Sequence, residues 1–270
     1  MIKASVVLAS VLAAVNLSAV DITIFDGQSS GSTGWYSARE NNETEPGTIT
    51  SQAWDLEQMS IVGTKLTIQA GYDFRTGTLS NNKWYRRGDI LIDLNGDANT
   101  TWSGTTADRT ANSYFKYDFA IHFSTTANDL SYTIIDLNSN SKYVQVTDIQ
   151  KSNPWRLDDN FLSGDSIDGK SGSFGADFDI LSPDAEGNHY ALTVDLSNYQ
   201  PLLDAIKAAN EMLVKYTIEC GNDTILGLAA VPGLELASDV PDSGMTLVLL
   251  GLGLAGLASF SRTGGRRAVS

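Results

Sequence analysis

The sequence predicts a mainly β protein: an antiparallel β-sandwich, jelly-roll-like single domain with one short helix, flanked by an apolar leader and an apolar C-terminal helix. Three observations carry this prediction. Between residues 20 and 239 four long stretches alternate apolar and polar residues with a period of two. Clusters of Ser, Thr, Asn and Asp separate the stretches, as at 124–129 and 138–141. With 42% hydrophobic and 9% aromatic residues, a chain of 270 has apolar surface enough for a packed core.

The first strong strand signal is Leu66, Ile68, Ala70, Tyr72 and Phe74, alternating with Lys65, Thr67, Gln69 and Asp73. The second is Phe115, Tyr117, Phe119, Ile121 and Phe123, with Lys116, Asp118, His122 and Ser124 between them. Tyr190, Leu192, Val194 and Leu196 form the third, and Val214, Tyr216, Ile218 and Cys220 the fourth. In each, one face suits a core and the other water, the pattern of antiparallel sheet. Shorter apolar runs at 21–25, 89–93, 130–136, 143–149, 174–180 and 224–230 bring the total to about ten strands, which predicts two packed sheets. One helix is expected after Pro201, which suits a first turn, with Leu202, Ile206, Ala209 and Leu213 on one face. Cys220 falls on the apolar side of its strand, so it is expected to be buried.

Composition excludes several functions. One Cys rules out a disulfide scaffold and a Cys-based zinc or iron–sulfur site, and two His leave no room for a multi-His centre. Eighteen Lys and Arg against 32 Asp and Glu give a net charge of −14, which argues against a nucleic-acid partner.

The two ends differ from the body. Met1-Ile2-Lys3 precedes an uncharged apolar stretch at 4–15 and then Asn16-Leu17-Ser18-Ala19. This is the layout of a signal peptide over 1–19 with a cut after Ala19, although Leu17 departs from the small residue preferred two positions earlier. The other reading is a buried first strand or helix. At the far end, residues 245–260 carry no charge. As a helix they reach about 24 Å, close to a hydrocarbon core of ~30 Å. Arg262, Arg266 and Arg267 follow and would hold that end on the cytoplasmic side. Val240-Pro241-Asp242-Ser243-Gly244 stands immediately before the run.

This order of motif, apolar helix and basic tail closely resembles the PEP-CTERM sorting signal of exosortase substrates, in its VPDSG variant. The resemblance covers residues 240–270: motif at 240–244, transmembrane helix at 245–260, basic tail at 261–270. It implies recognition by a membrane-embedded, cysteine-dependent transpeptidase, removal of the tail, and display or release outside an exopolysaccharide-producing Gram-negative cell. An apolar run plus arginines alone would say only that the chain has a C-terminal anchor. The expected organisation is a signal peptide (1–19), a β ectodomain (20–230), a tether (231–239) and the sorting signal (240–270). Asp21-Ile22-Thr23-Ile24, Gly34-Trp35-Tyr36, Ala53-Trp54-Asp55-Leu56-Glu57 and Glu219-Cys220-Gly221-Asn222-Asp223 also look like segments of the β domain in some of these proteins. That likeness implies a shared fold and no activity. Gly251-x-Gly253-x-x-Gly256 matches a dinucleotide fingerprint but lies in the expected membrane helix, with no following strand or acidic residue.

In the body, Asp93-Leu94-Asn95-Gly96-Asp97 places Asp93, Asn95 and Asp97 at positions 1, 3 and 5 of a calcium loop. Ala98 and Gly104 stand where an EF-hand needs Gly and a bidentate Glu, so only a partial calcium loop fits. Asn-Gly after a strand is equally a hairpin-turn signal. A second acidic cluster, Asp158-Asp159-Asn160 with Asp165 and Asp168, lies in a long aperiodic stretch and reads as a calcium or sugar-hydroxyl site, or as a solvated loop. No carboxylate pair stands out for glycoside hydrolysis. His122 and His189 fall on polar strand faces without a nucleophile motif, so both are expected at the surface. Trp35, Trp54, Trp84, Trp102 and Trp155 are sugar-stacking platforms if exposed and core residues if not.

The function these readings favour is an exported, non-enzymatic surface or extracellular-matrix protein, processed by an exosortase in an exopolysaccharide or biofilm setting. The alternative is a secreted carbohydrate-binding or glycan-active protein. The expected partners are exosortase, the membrane before processing, and extracellular polysaccharide.

Overall fold

The computed structural model describes residues 22–25, 49, 51–100, 110–146, 152–162, 169–184 and 187–231. Fifteen strands are described. They are β1 (Ile22–Phe25), β2 (Leu56–Val62), β3 (Lys65–Ala70), β4 (Thr78–Ser80) and β5 (Lys83–Tyr85); β6 (Ile90–Asp93), β7 (Phe119–Phe123), β8 (Ser131–Asp136), β9 (Tyr143–Val144) and β10 (Arg156–Leu157); and β11 (Phe174–Gly175), β12 (Asp177–Ile180), β13 (Tyr190–Asp195), β14 (Glu211–Thr217) and β15 (Thr224–Ala230). The helices are α1 (Asn112–Phe115), α2 (Asp159–Leu162) and α3 (Gln200–Ala208). The mainly β, antiparallel class with few short helices is what the alternation predicts.

One sheet has five strands in the order β1-β2-β3-β13-β12, the other six in the order β11-β8-β7-β6-β14-β15. β4 with β5 and β9 with β10 form two small ribbons. The described pairings between these strands are antiparallel. The main core takes residues from both large sheets: Met59, Leu66, Ile68 and Leu192 from one, Ile92, Ile121, Ile134, Val214 and Tyr216 from the other. A second apolar cluster lies on the opposite face of the six-stranded sheet. There Leu91, Ala120, Ile135, Leu213 and Leu226 pack with Phe115, Tyr117, Tyr143 and Leu157. That sheet is therefore covered on both faces, which explains why all four residues of β6 are buried.

Several elements differ from expectation. The strand expected from Phe115 begins at Phe119. Phe115 instead ends α1, because Lys116 turns the chain at φ 61°. The Asn112 side chain braces this turn, with Nδ2 donating to the Tyr117 carbonyl at 2.8 Å and Oδ1 accepting from Tyr117 N at 2.9 Å. The helix after Pro201 stops at Ala208; Ala209 is extended and Leu213 belongs to β14. Its buried face is Leu202, Leu203 and Ile206. Residues 174–180 form two short strands, β11 and β12, one in each large sheet. Of the stretch expected as a strand over 143–149, the described residues end at 146, and among them Tyr143 and Val144 form the strand. Val231, the first residue of the expected tether, is buried in the main core, and its N–H donates to the Asn210 carbonyl at 3.0 Å.

β2 carried no alternation because its register shifts between Leu56 and Gln58. A bulge of this kind moves the following side chains to the other face, so Leu56, Met59 and Ile61 are the buried positions. Among the described residues no helix is long and apolar enough to cross a membrane. The expected signal peptide, the transmembrane helix and the basic tail lie outside the described residues.

Candidate functional site

At one end of the five-stranded sheet a groove of about 430 Å³ opens to solvent. Its lining includes Gln52 from a 3-10 turn before β2, Asp73 and Thr76 after β3, Trp84 from β5, Asn188 just before β13 and Tyr190 at its start. The β4–β5 ribbon forms one wall. Its two-residue turn, Asn81-Asn82, has both φ angles positive (49° and 61°), as a tight hairpin requires. The ribbon is fastened to the sheet at three points. Thr78 Oγ1 donates to the Ala53 carbonyl at 2.7 Å, Tyr72 Oη donates to the Tyr85 carbonyl at 3.1 Å, and the Trp54 and Tyr85 rings meet edge to face at 5.4 Å. Gly71 lets the floor close, since a Cβ there would run into the Gln52 carbonyl and side chain.

Trp84 is 45% exposed, whereas Trp54 and Trp155 are buried. Trp35 and Trp102 lie outside the described residues. Arg86 sits over the Trp84 ring at 5.5 Å, and Arg75 over Phe178 at 4.1 Å. Phe178 in turn stacks on Tyr190 with centroids 5.7 Å apart. Asp73 Oδ1 accepts from Arg75 N at 2.8 Å. Gln52 is buried; its Nε2 donates to Glu57 Oε1 at 2.8 Å and its Oε1 accepts no hydrogen bond.

Behind Gln52 lies His189. The sequence placed this histidine at the surface, yet it is only 8% exposed. Its Nδ1 bonds to Glu57, and its Nε2 lies 2.8 Å from Asp184 Oδ1. Burial alone would lower its pKa; the carboxylates of Asp184 and Glu57 outweigh that and hold it above the ordinary 6.5. A histidine raised in the folded state contributes its full stabilisation below about pH 6.5, and loses it as pH rises through the higher folded value. The urea midpoint is therefore expected to fall across that window, and His189→Gln to flatten the fall. An unaltered pH profile in the variant would remove His189 as its source.

His122 is half-buried, between Asp89 Oδ2 at 2.8 Å and Asp159 Oδ1 at 3.1 Å. Arg156 Nη2 reaches His122 Nε2 at 3.2 Å and donates to Asp159 Oδ1 at 3.0 Å, while its Nη1 donates to Asp159 Oδ2 at 3.0 Å. Both histidines missed their predicted place for one reason. A period of two reports which face a side chain takes, not what packs on that face: β10 and Asp159 lie over His122, and Glu57 and Asp184 enclose His189.

The Asp93 segment forms a turn with Gly96 at φ 78°. Asp93 is buried, and burial raises its pKa. Its oxygens accept from Asn95 N and Ala98 N, both at 3.4 Å. Asn95 Oδ1 accepts from Asp97 N at 3.0 Å, and its Nδ2 donates to Asp118. Asp97 pairs with Lys116 at 3.3 Å. Among the described residues no three His, Cys, Asp or Glu side chains are grouped so as to hold a metal. In the second acidic cluster Asp158 caps Asn160 at 2.9 Å and Asp159 is paired as above, while Asp165 and Asp168 lie outside the described residues.

Two of the segments quoted for their family likeness meet in the fold, where Asp223 accepts from Leu56 N at 2.5 Å. Cys220 is buried as expected, although it lies in the turn after β14, which ends at Thr217. Comparison with known families matches residues 239–263 to the VPDSG-CTERM motif. The chain carries a VPDSG-CTERM motif. The VPDSG-CTERM match includes Val240, Pro241, Asp242, Ser243, Gly244, the apolar run and Arg262, and stops short of Arg266 and Arg267. A VPDSG-CTERM motif marks an exported protein processed by an exosortase, which is the sorting expected from the tail. No curated protein and no solved structure matches the chain.

Proposed function

We propose that the chain is a non-enzymatic surface or extracellular-matrix protein, whose β domain is displayed or released in a polysaccharide-rich layer after exosortase removes the tail. The VPDSG-CTERM motif at 239–263 carries this reading, because it is the one segment with a known processing fate. Two further observations support it. The net charge of −14 suits a body kept soluble outside the cell. Both histidines contact carboxylates, a glutamine or an arginine, and among the described residues no Ser, Thr or Cys hydroxyl or thiol is in hydrogen-bond contact with them. Calcium at Asp93, Asn95 and Asp97 rests on sequence pattern alone, and the turn accounts for these residues without an ion.

Changing Pro241 and Asp242 together to alanine is expected to leave a full-length, membrane-bound precursor and to lower the processed form at least tenfold on immunoblots of cell fractions. Processing at the normal rate would refute the reading.

A further inference from the structure

We propose that the groove between the β4–β5 ribbon and the start of β13 binds a neutral saccharide, stacked on Trp84 and hydrogen-bonded by Gln52, Asp73 and Asn188. The inference deepens the export reading by naming a ligand class. The deciding combination is an indole, almost half exposed, next to groove-lining groups rich in acceptors. Leaving a large aromatic ring in water is unfavourable, and a pyranose offers such a ring a C–H face while its rim donates hydrogen bonds. The Asp73 carboxylate and the amides of Gln52 and Asn188 supply acceptors for that rim.

Gln52 gives the second, independent sign. Its side chain lines the groove and is more than nine-tenths buried, and its Oε1 has no partner. A buried acceptor left empty is unfavourable, and a small shift of the Gln52 side chain toward the groove would let a ligand hydroxyl satisfy it. Its Nε2 is held from behind by Glu57 at 2.8 Å and lies 3.3 Å from His189 Nδ1. The ribbon bearing Trp84 is likewise fastened by Thr78, Tyr72 and Tyr85. A site held this way loses little freedom on binding.

Charge selects against other ligands. A carboxylate in the lining and a net −14 disfavour an acidic sugar. The guanidinium of Arg86 lies over one face of the Trp84 ring, so the sugar is assigned to the exposed remainder, and the nearby positive charge disfavours a cationic ligand. The volume of about 430 Å³ falls within the usual range for small-ligand sites, roughly 300–1,000 Å³.

The test is calorimetric titration of the full chain in a detergent without a sugar headgroup. The probes are cellotetraose, mannotetraose and galactotetraose, with trigalacturonate as the acidic comparison. At least one neutral probe is expected to bind, with Trp84→Ala and Asn188→Ala each weakening it tenfold or more while leaving the thermal midpoint in place. Should Trp84→Ala fail to fold, Asn188→Ala alone decides. Silence from all three neutral probes, unchanged affinity in the folded variants, or stronger binding of trigalacturonate would overturn the assignment. Because binding is read on purified protein, its failure leaves the processing result untouched, and the reverse also holds.

Discussion

Arg87→Met is expected to destabilise the fold by about 3–5 kcal/mol, lowering the thermal midpoint by roughly 10 °C. Arg87 is 1% exposed, and among the described residues no carboxylate pairs with it. Its guanidinium is instead surrounded by carbonyls: Phe74 at 2.6 Å, Thr126 at 3.2 Å, and those of Ser124 and Asp129. These four come from the bend after β3 and the turn joining β7 to β8, so one side chain ties the two sheets together at this edge. Burial pulls its pKa below the ordinary guanidinium range, yet a guanidinium stays charged at any working pH. Methionine has similar reach and no donors, so all four carbonyls would lose a partner inside the protein. Arg87→Lys is expected to recover only part of the loss, because an ammonium lacks the planar fork that reaches four acceptors. Urea titration followed by circular dichroism measures both variants. A midpoint within error of the parent for Arg87→Met would mean that the carbonyls are satisfied another way.

Arg87 also shows where the sequence stops being legible. Its neighbours Trp84 and Tyr85 show no alternation in the sequence, yet they belong to β5, with Trp84 exposed. The signal for that ribbon was Asn81-Asn82, a pair suited to positive φ. The four strong alternations yielded β3, β7, β13 and β14 because their inward faces meet the main core. β2 went unread because a bulge interrupts its period, and β10 because two residues carry no period. The second cluster defeated the pattern in a different way. Lys215 alternates with apolar neighbours as a solvent-facing residue would, yet it is 2% exposed. Its Nζ donates to the carbonyls of Ser152 and Pro154 at 2.6 and 2.7 Å. A long stem crossing an apolar layer to reach distant carbonyls leaves no local trace. The groove was hidden for the same reason, since Gln52, Trp84 and Asn188 are far apart in the chain and meet only through strand pairing. By contrast the sorting motif is read contiguously, and there sequence alone sufficed.

Asp89→Ala is expected to cost about 3–5 kcal/mol, with much of the loss confined at first to the covering layer of the six-stranded sheet. Asp89 is 1% exposed and accepts three bonds. Phe123 N reaches Oδ1 at 3.2 Å, while Leu157 N and His122 Nδ1 both reach Oδ2 at 2.8 Å. It thereby joins the residue before β6 to β7 and to β10, and the Asp89 N–H extends the tie by donating to the Trp155 carbonyl at 3.2 Å. Alanine leaves two backbone N–H groups and a histidine without their acceptor. His122→Ala, which removes one of the three donors and leaves the carboxylate two others, should cost less. Combining the two should fall short of the sum, because both act through one network. Amide exchange gives the sharper readout: Leu157 and its neighbours in β9 and β10 should lose protection before Ile121 and Val214 in the main core do. Uniform loss of protection across both clusters would show that Asp89 supports the whole domain rather than its outer layer. An unchanged exchange pattern would show that the carboxylate holds nothing in place.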